Sequence, residues 1–430
     1  MTVARTIKLA FGKQGAEVEL PAGYDYIVLD AKSVVSAADP VALIEQAVDN
    51  PIGSPPLIEL VRGKTSAAIS VCDITRPAPN RMVLPPVLRR LEAAGIERSR
   101  MVILIATGLH RPATDAEIRE IVGEEIAARY RVENHDARDR ESHRYLGQSR
   151  SGTPIHVDRR FVDAEFRMTL GFIEPHLMAG FSGGRKLVVP GLAAQETIKV
   201  IHSPRFMREK LAVEGSIEEN PLHRELIEIA AIAGHQFIVD VALGRDRGIA
   251  EVFAGDPVMA HREGVRFVGS TLLQQLSEPV DAVITTGAGY PLDLTYYQCI
   301  KGITAASHIV REGGRILVVG ACSEGSGGPE FSNMLGQHAR PEDFLSAIEN
   351  SPVTVDQWQI EKLALVARKA QIFYCVPGLQ ANLHQKLWGP AFEDACTAVK
   401  AFLKDLPDRS RVAVIPEGPY VLAKVTGLAA

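Results

Sequence analysis

Residues 171–202 bring together side chains that could bind an anion, transfer protons or hold a metal. A short apolar run at residues 168–173 predicts a buried strand, and His176 follows it. A glycine loop, Gly180 to Gly184, comes next, and its backbone N–H groups could approach an anion closely. Lys186 stands at the exit of this loop, and His202 ends the next predicted helix. Imidazole both transfers protons near neutrality and binds metals, so the stretch predicts a functional site.

The glycine loop matches the phosphate-binding loop of NTPases only in part. That loop needs a lysine directly after its last glycine, followed by a serine or threonine that holds magnesium. Here Arg185 separates Gly184 from Lys186, and Leu187 takes the place of the hydroxyl residue. The spacing therefore disfavours an NTPase.

A second glycine turn, Gly287-Ala288-Gly289, follows a predicted strand at residues 281–285. It lacks the third glycine of the dinucleotide-binding pattern. Pro291 also stands where the N-terminus of a helix would receive the pyrophosphate. A nicotinamide-dependent dehydrogenase is therefore disfavoured.

Polar side chains also follow two predicted buried strands, at residues 67–71 and 101–106. In open α/β sheets, ligands bind beyond the carboxyl ends of the strands. The pattern therefore predicts that the following side chains share one sheet edge: Asp73, Thr75 and Arg76 after the first strand, and His110 after the second.

Predicted strands and helices alternate along most of the 430 residues. This alternation predicts an α/β fold with mostly parallel sheets that are covered by helices on both faces. The chain is long enough for two domains. We predict an N-terminal α/β domain at residues 1–276, which carries the site described above, and a C-terminal α/β domain at residues 277–430.

The amino-acid composition argues against some classes of binding partner and predicts the cellular compartment. The formal net charge of −5 argues against nucleic acid or an anionic membrane as a general partner. No apolar run approaches the length of a membrane span, and residues 1–8 lack the apolar core of a signal peptide. The five cysteines are scattered without a C-x-x-C pair, which predicts reduced thiols and a cytoplasmic protein.

Residues 124–165 are charged and rich in turn-forming residues. His135, His143 and His156 fall there without metal-ligand spacing, so we predict that they are surface groups. Further along, long helices are predicted at residues 256–276 and 391–404.

Gln298 and Lys301 lie three residues apart on a predicted helix, so their side chains are neighbours on one face. A polar surface face of the helix would explain this spacing, and so would a binding site. Trp358 is either a buried structural residue or part of a pocket wall.

The joint pattern resembles the nickel-pincer lactate racemase family. The motifs that carry the resemblance are Glu174-Pro175-His176, Gly180-Phe181-Ser182-Gly183-Gly184-Arg185-Lys186, Pro190-Gly191, His202, Tyr297-Gln298-Cys299-Ile300-Lys301 and Asp356-Gln357-Trp358. The resemblance covers most of the chain. It implies two α/β domains with the active site in the cleft between them.

The resemblance implies an isomerase that inverts a 2-hydroxy acid, with lactate-like substrates preferred. The Cα proton beside a carboxylate is very weakly acidic. A hydride route avoids the carbanion but needs a cofactor, because no side chain accepts hydride. The implied cofactor is the nickel-pincer nucleotide, a pyridinium-3,5-bisthiocarboxylic acid mononucleotide joined to Lys186 as a thioamide. Nickel would have His202 as its protein ligand.

The same resemblance implies roles for the remaining residues. His110 and His176 would act as two bases for the hydroxyl proton, one for each enantiomer. The implied substrate contacts are Arg76, Tyr297, Gln298, Lys301 and Trp358. The implied cofactor contacts, besides Lys186, are Asp73, Thr75, Arg76, Gly183 and Gly184.

Two alternatives stay open. The substrate could be a larger hydroxy acid, such as malate, an aromatic hydroxy acid or an aldonate. A carrier of the cofactor without turnover would need Lys186 and His202 but not both His110 and His176, so their joint presence favours the enzyme. The implied partners are proteins that synthesise the cofactor and insert nickel.

Overall fold

The computed structural model describes residues 5–30, 34–244 and 246–426. These residues form two compact units, which we call the central unit and the C-terminal unit. The central unit draws on Ser33–His202 and Leu211–Thr271, and the C-terminal unit on Met1–Lys32, Ser203–Lys210 and Leu272–Ala430. The predicted boundary between residues 276 and 277 lies near Leu272, where the chain passes for the last time from the central unit to the C-terminal unit. As a division into separately folding domains it stays a prediction.

The strands are short and alternate with helices through most of the chain. In chain order they are β1 (Arg5–Leu9), β2 (Ala16–Leu20), β3 (Asp25–Val28), β4 (Ala67–Cys72), β5 (Met101–Ala106), β6 (Arg131–Asn134), β7 (His143–Gln148), β8 (Pro154–Asp158), β9 (Phe166–Phe172), β10 (Pro175–His176), β11 (Gly180–Phe181), β12 (Phe237–Leu243), β13 (Ile249–Gly255), β14 (Leu273–Leu276), β15 (Val280–Thr286), β16 (Val310–Val319), β17 (Gln371–Cys375), β18 (Ala391–Phe392), β19 (Arg411–Val414) and β20 (Leu422–Val425).

The α-helices follow the same order. They are α1 (Pro40–Asp49), α2 (Leu57–Leu60), α3 (Asn80–Ala93), α4 (Asp115–Val122), α5 (Glu124–Arg129), α6 (Arg159–Val162), α7 (Gln195–Ile201), α8 (Pro204–Met207), α9 (Pro221–Ile232), α10 (Met259–Leu272), α11 (Tyr296–Ser307), α12 (Pro329–Met334), α13 (Pro341–Ala347), α14 (Gln357–Lys369), α15 (Ala381–His384) and α16 (Ala395–Leu403). Short 3-10 helices lie at Arg98–Arg100, Arg140–Ser142, Gly184–Leu187, Leu292–Leu294 and Gly418–Tyr420.

The central unit is built on a six-stranded sheet in the order β13-β12-β9-β4-β5-β6. Neighbouring strands are parallel except β12 and β13. Every residue of β4 is buried, as expected of a parallel strand covered on both faces. The core of the central unit includes Leu84, Val87 and Leu91 of α3. Burying each such side chain stabilises the fold by about 1.5–3 kcal/mol.

The C-terminal unit contains a second six-stranded sheet, in the order β18-β17-β16-β15-β19-β3. All its pairings are parallel. α11 packs closely on β15 because Gly302 has no side chain there; a Cβ atom at this position would lie 2.1 Å from the Thr286 carbonyl oxygen. This close contact fixes α11, which carries Gln298 and Lys301, against the sheet.

The predicted α/β class with mostly parallel sheets is confirmed. The predicted helix at residues 256–276 is wrong in its last turn, because Leu273–Leu276 instead pair with β20, a partner distant in sequence. The predicted helix at residues 391–404 begins later, at Ala395, where the Asp394 side chain accepts a hydrogen bond from the Thr397 N–H. None of the helices in the described residues combines the length and apolar character needed to cross a membrane.

Candidate active site

Loops at the carboxyl edge of the central sheet carry the residues that the sequence analysis singled out. Asp73 and Arg76 follow β4, His110 follows β5, and Glu174 and His176 follow β9. Because β9, β4 and β5 are adjacent and parallel, these loops leave the sheet at the same edge. Side-chain contacts then join the loops, His110 to Asp73 and Arg76 to Glu174.

His110 is paired with a buried carboxylate. Its Nδ1 lies 2.7 Å from Asp73 Oδ2, and Thr75 Oγ1 donates a hydrogen bond to Asp73 Oδ1 at 2.6 Å. Burial by itself would raise the pKa of the Asp73 carboxyl, but His110, Arg76 and Thr75 lower that pKa below its ordinary value. Asp73 is therefore a carboxylate that can orient the His110 ring.

His176 is held through backbone amides. Its Nδ1 accepts hydrogen bonds from the N–H of Ala179 at 3.2 Å and from the N–H of Met178 at 3.4 Å. The strands β10 and β11 form a short antiparallel ladder in which His176 pairs with Gly180. The glycine loop thus sets the position of this buried imidazole.

Ser182 and Arg185 fix the glycine loop to the sheet. Ser182 Oγ donates to the Phe172 carbonyl at 2.8 Å and accepts from the Glu174 N–H at 2.9 Å. Burial lowers the pKa of Arg185 to about 9. Its guanidinium donates to the carbonyls of Ala179, Phe181, Ser182 and Gly183. Arg185 therefore holds the loop together from inside.

Two glycines of the loop are required by packing as well as by backbone conformation. Gly180 and Gly183 have φ of +78° and +83°, in the region that favours glycine. A Cβ atom at Gly180 would lie 1.9 Å from the Ser216 carbonyl oxygen. At Gly183 it would lie 2.6 Å from Asp240 Oδ2. At these two positions the missing side chain lets the loop pack against the protein itself, and the approach of its backbone N–H groups to an anion stays a prediction.

We expect Gly180→Ala to destabilise the protein far more than Gly63→Ala. Both glycines have left-handed φ, +78° and +80°, but a Cβ atom at Gly63 would meet nothing within 4 Å. Gly63→Ala therefore carries only the backbone cost, about 1–2 kcal/mol, while Gly180→Ala adds a clash of at least about 2 kcal/mol. Urea unfolding of both variants measures the difference, and equal losses would contradict the packing role of Gly180.

Lys186 and His202 lie in surroundings that disfavour positive charge. Burial, together with the charges of Arg76 and Arg185, lowers the pKa of the Lys186 ammonium to about 7. His202 follows α7, and its Nδ1 donates to the Ile198 carbonyl at 2.8 Å. Burial lowers the pKa of His202 to about 3, and the charge of Lys186 adds to this effect. The two side chains are therefore close enough to interact electrostatically.

Asp240 is a buried acidic residue that the sequence analysis missed. It lies on β12 opposite Gly171 of β9, and in the described residues neither oxygen of its carboxylate has a hydrogen-bond partner. Burial raises its pKa to about 7, and the neighbouring Gly184 backbone and Arg185 charge oppose this only in part. The signal in the sequence was a single charge inside the apolar run at residues 237–241.

The C-terminal unit carries the predicted substrate contacts on α11 and α14. Gln298 and Lys301 are one turn apart on α11 and only 4% and 8% exposed, so they do not form an exposed polar face. Tyr297 accepts a hydrogen bond at its hydroxyl from Trp358 Nε1 at 2.9 Å, which ties α11 to α14. Trp358 is buried, and its contact with a substrate stays a prediction.

The prediction that His135 and His143 are surface groups is wrong. His135 is 2% exposed, with Nδ1 at 3.1 Å from Asp158 Oδ2 and Nε2 at 3.1 Å from the Ala193 carbonyl oxygen. His143 packs edge-on against it, while His156 is partly exposed. Asp158 and Ala193 lie far from His135 in sequence, so the buried position of this ring depends on tertiary contacts.

The fold and the central site define an α/β enzyme with imidazoles placed at the ends of parallel strands. Comparison with known proteins gives the family. The model of the lactate racemase N-terminal domain matches residues 11–215, and the model of the lactate racemase C-terminal domain matches residues 276–423. The chain belongs to the lactate racemase family, a family of isomerases, as the sequence resemblance predicted.

Relatives match over almost the whole chain. The lactate racemase of Lactiplantibacillus plantarum is 36% identical over 89% of this chain and 90% of its own length. The lactate racemase of Thermoanaerobacterium thermosaccharolyticum is 31% identical over 97% of this chain and 99% of its own length. The structure of the latter's apoprotein superposes with a TM-score of 0.88 over 98% of this chain and all of that chain. A 17% identical Thermotoga maritima protein, with a TM-score of 0.70 over 91% of this chain and all of that chain, shares the fold.

Proposed function

We propose that the chain racemises a 2-hydroxy acid, with lactate-like substrates preferred, by reversible hydride transfer to a nickel-pincer nucleotide joined to Lys186. The observation that carries the proposal is the His110–Asp73 pair in the same unit that brings Lys186 near His202. The two curated relatives named lactate racemase support the reaction and the substrate class.

Lys186 suits covalent attachment of the nucleotide. The neutral form of an amine is its nucleophilic form, and a pKa of about 7 leaves a substantial neutral fraction near neutral pH. Burial and the neighbouring cations cause this lowering. The same cations, Arg76 and Arg185, would favour an anionic group at this position.

His202 suits a metal ligand. The hydrogen bond from its Nδ1 to the Ile198 carbonyl fixes the tautomer in which Nε2 carries the lone pair. Imidazole is a good ligand for nickel. Within the described ranges, no three His, Cys, Asp or Glu side chains are grouped so that they could hold a metal ion. The family resemblance implies that the remaining donors for nickel would be the sulfur atoms of the nucleotide itself.

When bound, the nucleotide supplies a carbon that accepts and returns hydride. The side chains of the protein bind the charged groups of the substrate and transfer the hydroxyl proton. Arg76 offers a planar cation to the substrate carboxylate, and His110 and His176 serve the hydroxyl group. The proposed substrate contacts from the C-terminal unit stay Lys301, Gln298, Tyr297 and Trp358. The proposed contacts to the ribose and phosphate of the nucleotide stay Asp73, Thr75, Gly183 and Gly184.

The proposed contacts recognise the 2-hydroxycarboxylate group, which larger hydroxy acids share. Lactate is the preferred substrate because both curated relatives are lactate racemases. A panel of chiral hydroxy acids, including malate, an aromatic hydroxy acid and an aldonate, ranks the candidates by kcat/KM. A cofactor-loaded protein that binds these acids without inverting any of them would be a carrier.

Racemisation in D2O tests the hydride route. Hydrogen that moves as hydride does not equilibrate with water, so the product should carry little deuterium at Cα after many turnovers. A racemase that abstracts the proton with imidazole would behave oppositely, because imidazolium protons exchange rapidly with solvent. Mass spectrometry of the product measures the label.

Substrate deuterated at Cα provides the matched experiment in ordinary water. The label should survive inversion, and the rate should show a primary isotope effect if hydride transfer is limiting. Substantial solvent deuterium at Cα in the first experiment, or loss of the label in the second, would exclude the hydride route while leaving the histidines as acid–base candidates.

A further inference from the structure

The chain leaves the central unit directly after His202. Residues Ser203–Lys210, which we call the crossing segment, belong to the C-terminal unit, and the chain returns to the central unit at Leu211. A peptide bond therefore joins His202 to the first residue of the crossing segment. Because consecutive Cα atoms are fixed at about 3.8 Å from each other, whatever holds the crossing segment also restrains the backbone of His202.

Arg208 ties the crossing segment to two neighbouring helices. Its Nε donates a hydrogen bond to Glu361 Oε1 of α14 at 2.7 Å, and its Nη2 donates to the Leu345 carbonyl of α13 at 3.2 Å. Phe206 and Met207, the two residues before it, are buried, and α8 packs against α14. The crossing segment is thus attached to the C-terminal unit by apolar packing and by a forked cation.

The pair with Glu361 is a costly kind of contact. Glu361 is fully buried, and in the described part of the chain its Oε2 has no hydrogen-bond partner. Burial raises the pKa of this carboxyl, and the hydrogen bond and charge of Arg208 oppose the rise. Because desolvation offsets the attraction within such a pair, apolar side chains would stabilise the helices at least as well. The forked contact does fix the position of the segment, which favours a positioning role.

The same helix, α14, also supports α11. Trp358 Nε1 donates to the Tyr297 hydroxyl at 2.9 Å, and Gln359 Nε2 donates to the Tyr297 carbonyl oxygen at 2.8 Å. Tyr297 directly precedes Gln298, one of the proposed substrate contacts. α14 therefore restrains both the segment that follows the proposed metal ligand and the helix that carries proposed substrate contacts.

We propose that Arg208 is a positioning residue for the metal site: by anchoring the crossing segment to Glu361, it holds the backbone of His202 and keeps that imidazole in place for nickel. This inference rests on the proposed function, because it takes His202 as the nickel ligand. Arg208 acts only through His202. Groups that orient a metal ligand without touching the metal contribute about 10–100-fold to metal affinity.

Nickel release from cofactor-loaded protein measures this role. With a chelator present, Arg208→Ala should release nickel about 10–100-fold faster than wild type, while the covalent mass at Lys186 stays. Arg315→Ala is the matched control, because Arg315 also donates to two backbone carbonyls but lies on β16. Its nickel release should stay near wild type. Equal release from Arg208→Ala and wild type would overturn the proposal.

Two variants of Glu361 separate positioning from general stability. The amide oxygen of Glu361→Gln can still accept a hydrogen bond from Arg208, so nickel release should stay within about threefold of wild type. Glu361→Leu removes the acceptor and should behave like Arg208→Ala. Thermal unfolding of all four variants supplies the comparison. Nickel release that follows Tm instead of the presence of the acceptor would show that the positioning role is wrong.

Hydrogen exchange of the apoprotein tests the restraint without cofactor. Backbone amides of residues 198–208, which span the end of α7 and all of α8, should exchange faster in Arg208→Ala, while those of β15 exchange as in wild type. Unchanged exchange at residues 198–208 would overturn the proposal. Wild-type protein that takes up no nickel would contradict the proposed function, whereas loaded Arg208→Ala with normal nickel release would contradict only this inference.

Discussion

Protein produced together with the proteins that make the cofactor and insert nickel should gain covalent mass, and Lys186→Ala should gain none and lose all activity. The proposed thioamide needs the Lys186 amine, and its pKa of about 7 leaves much of it unprotonated near neutrality. Intact-protein mass spectrometry measures the adduct. Lys199→Ala, which changes a lysine of α7 outside the site, should keep both the added mass and the activity.

His202→Ala separates the metal from the covalent link. It removes the proposed nickel ligand but leaves Lys186, so the organic adduct should remain while most of the nickel is lost. Mass spectrometry and metal analysis of the same sample report the two quantities. A wild-type protein that inverts hydroxy acids with no added mass and no nickel would show that the proposed cofactor is wrong.

His110→Ala and His176→Ala should each lower kcat by at least about a hundredfold, the usual scale for losing a general base. His156→Ala is the matched histidine control, because His156 lies on β8, which pairs with β7 and is not a strand of the central sheet. Its activity should stay near wild type. Near-normal turnover in either of the first two variants would remove that histidine from the mechanism.

Lys301→Ala is expected to act mainly on KM. A cation that meets the substrate carboxylate does so in the ground state and the transition state alike, so its loss weakens binding more than turnover. The measurement is a full substrate titration of cofactor-loaded enzyme. A fall in kcat as deep as that of His110→Ala would instead place Lys301 in the chemical step.

Local composition and spacing were enough to predict the strands of the central site and the residues that follow them. Continuous apolar runs identified β4, β5 and β9 because parallel strands are buried on both faces. The motif from Glu174 to His202 identified the family, and the comparisons confirm it. Such features depend on local composition and spacing, so they can be read from the chain alone.

The contacts of each of these side chains depend on tertiary packing and could not be predicted from the sequence. The position of Asp73 after β4 predicted that it lies at the sheet edge, but its bond to His110 joins residues 37 positions apart. The same holds for buried His135, whose partner Asp158 lies 23 residues away, and for Asp240 beneath the loop glycines. Hydrogen bonds and desolvation depend on which strands become neighbours, and the order β12-β9-β4-β5 is set by the packing of the whole sheet.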